Sequence, residues 1–100
     1  NLRDIFVYLD GDKPEIIGTC SMHICWEDLA EIRSLAVREP YQGKGIGKKL
    51  VEACITEAIA LGLHRIFVLT YQVEFFQKIG FREVDKGTLP HKIWADCHDY

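Results

Sequence analysis

The chain changes rhythm at one place, and glycines mark it. Up to Val37 the apolar residues fall into short runs rich in β-branched and aromatic side chains. From Ile46 onward they recur at intervals of three and four. Between the two lies Gln42-Gly43-Lys44-Gly45-Ile46-Gly47-Lys48-Lys49, with glycine at every second position from 43 to 47. Glycine costs roughly 1 kcal/mol against alanine inside a helix, so three at a strand-to-helix junction need a reason. A chain that runs from strands through such a junction into a helix is restricted to folds in which helices pack on a sheet.

The flanking segments give the order. Asp4–Leu9 (DIFVYL) reads as a strand, Asp10-Gly11-Asp12 as a hairpin turn, and Glu15–Cys25 as the returning strand. Trp26-Glu27-Asp28 makes the next link, and Leu29–Val37 is a third strand. Short links predict an antiparallel meander. Ile46, Leu50, Ala53, Cys54, Ala58 and Leu61 then form a helical stripe. Val51, Ile55 and Ile59 widen it, which predicts burial on more than one side. Gly62 is a stop signal. His64–Leu69 (HRIFVL) is an uninterrupted apolar run, of the kind buried on both faces of a parallel sheet. Val73–Ile79 predicts a second short helix ending at Gly80, and Phe81–Val84 a last short strand. The order β-β-β-α-β-α-β makes this an α/β chain with a mixed sheet.

Composition bounds the function. One hundred residues form a single domain at most. A hydrophobic fraction of 48% fits a globular chain, and no run approaches the roughly 18 apolar residues of a membrane span. The net charge of -3 argues against nucleic acid as the main partner. The chain starts at Asn1 without a charged-then-apolar leader, and this internal start suggests a missing N-terminal part. Cys20, Cys25, Cys54 and Cys97 form no Cys-x-x-Cys pair. Unpaired thiols fit a reducing cytoplasm. Cys54, within the helical pattern, reads as a small core residue. Cys20, His23 and Cys25 are too few for a zinc site and read as neighbours on one strand; no metal is expected.

The glycines now have a reading. A helix N-terminus carries unsatisfied N–H groups and a partial positive charge, which together make an anion site. Glycine lets a phosphate approach the backbone, and Lys44, Lys48 and Lys49 add charge. A tight turn alone accounts for one or two glycines, not for three with interleaved lysines. The Walker loop needs Gly-x-x-x-x-Gly-Lys-Ser/Thr, and Gly43 has Lys48 five residues on. The dinucleotide loop needs Gly-x-Gly-x-x-Gly inside a βαβ unit, and here a meander precedes the loop.

The pattern that does fit is Gln/Arg-x-x-Gly-x-Gly/Ala, present as Gln42 to Gly47. With it, the sequence resembles the GNAT superfamily of acetyl-CoA-dependent N-acetyltransferases. The resemblance covers roughly residues 29 to 85. It includes EIRSLAVREPYQGKGIGKKLVEACITEAIALGLHRIFVLT and the block VEFFQKIGF, in which a short helix ends in Gly-Phe. HRIFVLTYQVEFFQKIGFREVDKGTLPHKIW further resembles the acetyltransferase domain of bacterial N-acetylglutamate synthases, a likeness that implies a place in arginine biosynthesis. The resemblance implies a GNAT-like fold in which this chain, residues 1–100, is a partial domain. Its first strand, first helices and last strand are expected to be missing. HKIWADCHDY stops where that last strand would lie.

The resemblance also implies roles. Backbone N–H groups of Gly43, Lys44, Gly45, Ile46, Gly47 and Lys48, beside Gln42, would hold the pyrophosphate of acetyl-CoA. The pantetheine arm would pair with Leu35, Ala36 and Val37, and the Val37 N–H would polarise the thioester carbonyl. Phe75 and Phe76 would wall the cofactor or serve as plain helix core. Glu31 sits where many GNAT enzymes keep a glutamate base. Alternation puts Glu31, Arg33, Leu35 and Val37 on one face. Arg33 could bind a substrate carboxylate or simply pair with Glu31. Many GNAT enzymes carry a tyrosine acid beside the phenylalanine of the second block. This chain has Phe75-Phe76 there, and Tyr71 is a weak substitute.

The expected activity is acetyl transfer from acetyl-CoA to a primary amine, with the α-amino group of an amino acid such as glutamate favoured. A non-catalytic acetyl-CoA-binding module and a protein-directed acetyltransferase are the alternatives. The expected partners are coenzyme A and a small amine or amino acid, with a homodimer left open and neither nucleic acid nor membrane among them.

Overall fold

Alternating apolar residues pair strands in chain order and leave one face for a helix. In the computed structural model, which describes residues 2–26 and 29–84, the elements are β1 (Leu2–Leu9), β2 (Ile16–Trp26), β3 (Leu29–Val37), α1 (Ile46–Ala60), β4 (Arg65–Val68) and α2 (Val73–Ile79). They form one sheet in the order β1-β2-β3-β4. The first three strands are an antiparallel meander, and β4 joins β3 in parallel. The connection from β1 to β2 turns at Asp10, where the Lys13 N–H donates to the Asp10 carbonyl at 3.0 Å and Gly11 takes φ 60. The mixed sheet and both helices therefore match the expected order.

The core lies between the sheet and α1. Gly18, Cys20 and Met22 alternate onto the face of β2 that meets the helix, where Ile46, Leu50, Val51, Cys54 and Ala58 are buried. The thiol of Cys54 donates to that of Cys20 at 3.3 Å. That contact, with burial, pushes the Cys20 thiol far above its ordinary range, so it stays protonated and inert. Cys20 and His23 point to opposite faces of β2, because they stand three positions apart on a strand whose side chains alternate. The helix buries one stripe only. Ile59 is 68% exposed and Leu61 37%, while Ala58 in the same last turn is fully buried, so the two lie off the buried stripe.

Both helices close with the same backbone device. Gly62, at φ 79, lets the Leu63 N–H bond the Ala58 carbonyl at 2.9 Å and its own N–H bond Ile59 at 3.0 Å, a Schellman closure. Gly80, at φ 121, does the same for α2, with the Phe81 N–H on the Phe76 carbonyl at 3.0 Å. This corrects the strand expected over Phe81–Val84. The Phe81 N–H is used to end the helix, its ring packs edge-on against Phe76, and residues 81–84 pair with no strand among the described residues.

β4 also departs from expectation. Residues Ile66 to Val68 are half-buried and Arg65 is exposed, because β4 has a sheet neighbour on one side only among the described residues. Alternation along β3 breaks as well. β3 advances three residues from Arg33 to Ala36 while β2 advances two, from Ser21 to Thr19. The extra residue is a bulge, and Ser34 takes φ 54, a left-handed conformation uncommon for a residue with a side chain. Paired residues share a face. Val37 opposes Gly18 and turns with Leu35 toward α1, whereas Arg33 and Glu31 oppose Ser21 and His23 and turn away. Glu31 and Arg33 therefore share a face, but Leu35 and Val37 lie on the other.

Gly18 is where β2 passes closest to α1. A Cβ there would meet Leu50 Cδ1 at 2.9 Å and both the Ala36 carbonyl and Ile46 Cγ2 at 3.3 Å. Gly18→Ala should therefore lower stability by about 1–3 kcal/mol through overpacking. In urea unfolding the midpoint should fall with the m-value unchanged.

Candidate active site

The register of β3 and β4 creates the cleft. Parallel pairing runs from Leu29↔Arg65 to Ile32↔Val68 and stops, while β3 continues to Val37. From Arg33 onward, no strand among the described residues pairs with that side of β3. The Arg38 N–H donates to Ile17 of β2 at 2.9 Å. Successive N–H groups of an extended strand alternate sides, so the Val37 N–H faces the open edge.

At the end of β3 the chain enters a 3-10 turn, Glu39–Tyr41, and then the glycine stretch. Gly43 and Gly45 take φ 79 and 83, and a Cβ at either would meet nothing within 4 Å. Gly45 is the N-cap of α1, and its carbonyl accepts the Lys49 N–H at 3.1 Å. No side chain caps this terminus and no acidic residue lies in the first turn. The N–H groups that open α1 therefore lack intrahelical partners, and its positive end meets no carboxylate of its own. Gln42 Nε2 donates to the Val37 carbonyl at 2.9 Å, which ties the loop to the strand end.

The cleft encloses about 1020 Å³ and is bordered by residues 31 to 37, by the loop and first turn of α1, by Val68 to Thr70, and by α2. That volume is at the upper end of the range of about 300–1,000 Å³ typical of small-molecule sites. Leu35, Ala36, Val37, Gln42, Gly43, Gly45, Ile46, Gly47, Lys48, Phe75 and Phe76 all border it, as do Glu31 and Arg33. Gly47 admits the ring of Phe75, which a Cβ would meet at 3.2 Å. Phe76 is 4% exposed and packs edge-on with Phe75, so it serves as core and wall together. Lys44 does not border the cleft; its Nζ lies 5.7 Å from the centre of the Tyr41 ring. Tyr71 is fully exposed and lies outside the lining.

Glu31 is 4% exposed and its Oε1 accepts the Arg33 Nε at 2.6 Å. The pairing foreseen for Arg33 is thus in place, at the inner end of the cleft. Sequence reasoning missed Tyr41, Thr70, Gln72 and Lys78, all of which border the cleft. Lys78 had a signal: it lies three residues after Phe75 on α2, and so on the same face. Among the described residues, no group of three or more His, Cys, Asp or Glu could hold a metal, and no helix is long and apolar enough to cross a membrane.

Comparison with known proteins decides the family. The profile of the acetyltransferase (GNAT) family matches residues 2–81. The chain belongs to the GNAT family. An amino-acid acetyltransferase of Mycobacterium tuberculosis is 36% identical over 86% of this chain, which spans 50% of that protein. A Mycobacterium tuberculosis crystal structure in complex with CoA and NLQ superposes with a TM-score of 0.82 at 34% identity, covering 90% of this chain and 55% of that one. N-acetylglutamate synthase from Neisseria gonorrhoeae, complexed with coenzyme A and N-acetyl-glutamate, gives a TM-score of 0.70 at 32% identity, over 76% of this chain and 18% of that one. The chain thus spans about half the length of the curated relative. These GNAT neighbours include structures with CoA bound, and coenzyme A fits this cleft: an uncapped helix start, two open left-handed glycines and a strand edge that no described strand pairs. The Leu-Pro-x-Lys stretch and the expected last strand lie outside the described residues, as does Cys97.

The GNAT loop yields a test. Gly45→Asp places a carboxylate in open space beside the start of α1, where a pyrophosphate would sit. Acetyl-CoA binding should fall at least tenfold, about 1.4 kcal/mol. Gly45→Asn has nearly the same shape and left-handed backbone preference without the charge and should lose less. Calorimetry on both separates repulsion from strain.

Proposed function

We propose that this domain transfers the acetyl group of acetyl-CoA to the α-amino group of an amino acid, with glutamate the favoured acceptor. The observation that carries the reading is the parting of β3 from β4 directly above the uncapped start of α1, with a buried glutamate at the point of parting. The pyrophosphate would lie against the N–H groups from Gly43 to Lys48. The pantetheine arm would run along the open edge of β3 from Leu35 to Val37. Its thioester carbonyl would then meet the Val37 N–H, which stabilises the negative charge developing there.

The acceptor reaches the cleft as an ammonium and must lose a proton before it attacks. Glu31 is the carboxylate placed to take it, directly or through water. The amine nitrogen then bonds to the carbonyl carbon, the carbon–sulfur bond breaks, coenzyme A leaves as the thiolate, and the second proton of the attacking nitrogen passes to water or to that thiolate. That anion can leave without an enzymic acid; Tyr71 would serve only if its exposed ring swung into the cleft. Arg33 sets a guanidinium beside Glu31. A substrate carboxylate close to its own amine would meet that cation, which favours an amino acid over a simple amine. The N-acetyl-glutamate held by the gonococcal neighbour supports the same acceptor class.

Glu31→Gln should lower turnover at neutral pH by about a hundredfold to ten-thousandfold, the range of general-base catalysis. Acetyl-CoA affinity should barely change. The loss should shrink at high pH, where free amine is abundant. Undiminished turnover across pH would assign the base elsewhere, and a protein that binds acetyl-CoA but turns over no amine would be a binding module.

Arg33→Ala should raise the KM for glutamate far more than the KM for acetyl-CoA. A decarboxylated amine should be indifferent to the change. Thiol release, followed over a panel of amino acids and amines, reads both effects.

A further inference from the structure

Apart from the bond of Gln42 to the Val37 carbonyl, the glycine loop has little among the described residues to hold it in place. Gly43 and Gly45 have no side chains and no packing partner within 4 Å of where a Cβ would stand. The loop's shape must come from its flanks. One flank is α1, seated on the sheet. The other is the turn Glu39–Tyr41, which contains no buried residue. This second flank is tied to a distant part of the chain. The Tyr41 hydroxyl donates to Asp10 Oδ2 at 2.9 Å, across 31 residues of sequence. Arg38 pairs with Glu15 at the other end of the same β1–β2 connection. The connection is itself fixed by the Lys13 N–H on the Asp10 carbonyl, while Lys13 Nζ lies 3.9 Å from Asp10 Oδ2.

We infer that Asp10 is a positioning residue for the nucleotide diphosphate end of coenzyme A, acting through Tyr41. The inference rests on the reading of the cleft as an acetyl-CoA site. Tyr41 borders the cleft immediately before Gln42 and Gly43, so the atom that orients its ring also orients the wall from which the loop departs. A phenol donating to a carboxylate is a charge-assisted bond, stronger than a neutral one. The exposed pair of Arg38 and Glu15 adds little by comparison. The bond to Asp10 and the nearby negative charge hold the Tyr41 phenol above its usual range. Lys44 stands over the same ring, 5.7 Å from its centre, and shares its placement. A loop ordered before the ligand arrives loses less freedom on binding. The β1–β2 turn thereby contributes to affinity without facing the phosphates.

The test is a double-mutant cycle on the full protein. Tyr41→Phe removes the donor and Asp10→Ala removes the acceptor. Each should raise the KM for acetyl-CoA and weaken desulfo-coenzyme A in calorimetry by about three- to tenfold, the worth of one such bond. The KM for the acceptor should stay within twofold. The double variant should be no worse than either single, because both remove one interaction. Asp10→Asn keeps an acceptor oxygen but makes a neutral bond, and should recover part of the affinity lost in Asp10→Ala. Thermal melting of each variant checks that the fold is intact. Additive losses, or single variants with unchanged coenzyme affinity, overturn the inference. Gly45→Asp serves as the control for the underlying reading. If it weakens binding while Tyr41→Phe and Asp10→Ala do not, the cleft stands and the brace falls. If it too has no effect, the coenzyme binds elsewhere and both fall.

Discussion

Between Arg33 and Ala36, β3 carries one more residue than β2 has partners for. The excess is absorbed at Ser34, whose φ of 54 turns the strand over. Everything at the site follows from that turn. Upstream, Glu31 and Arg33 point away from α1 and hold each other at 2.6 Å. Downstream, Leu35 and Val37 pack toward α1 and the core. β4 follows β3 only as far as Ile32, just short of the bulge. A regular β3 would put all four side chains on one face and could carry β4 along its full length.

The described non-glycine residue at positive φ, Ser34, stands at this opening. Ser34, Gly43 and Gly45 all occupy left-handed backbone, and all border the cleft. Left-handed backbone in a residue with a side chain costs free energy and persists only when its surroundings determine it. Here the surroundings are two hydrogen bonds from β2: the Thr19 hydroxyl to the Ser34 carbonyl at 3.3 Å, and the Ser21 hydroxyl to the Arg33 carbonyl at 3.0 Å. Small hydroxyl side chains on the middle strand thus hold the bulge in shape.

Much of this was legible in the sequence. Strand β3 and helix α2 fall on the residues where alternation and the Gly80 stop put them, and Gly62 ends α1 as its composition implied. The loop was legible because glycine spacing has a backbone meaning independent of tertiary structure. The bulge was not, since Glu-Ile-Arg-Ser-Leu-Ala-Val reads as a regular strand and its extra residue exists only in relation to β2. The exposure of Ile59 and Leu61 depends on which flank of α1 the sheet leaves uncovered, which a helical repeat does not encode. Tyr41 and Asp10 were not legible as a pair either, because their contact joins positions 31 residues apart. Phe81 misled for a local reason: a Gly-Phe pair after a helix serves the helix closure as readily as it starts a strand.

The thiols of Cys20 and Cys54 meet at 3.3 Å and are fully shielded from solvent. They sit on the two surfaces, β2 and α1, whose contact makes the core. An alkylating reagent can reach either sulfur only when the helix lifts from the strand. The rate at which these sulfurs are modified in the native protein is therefore a measure of that opening equilibrium. The domain carries, in its own sequence, a label for the breathing of an interface that keeps the helix bordering its cleft in place.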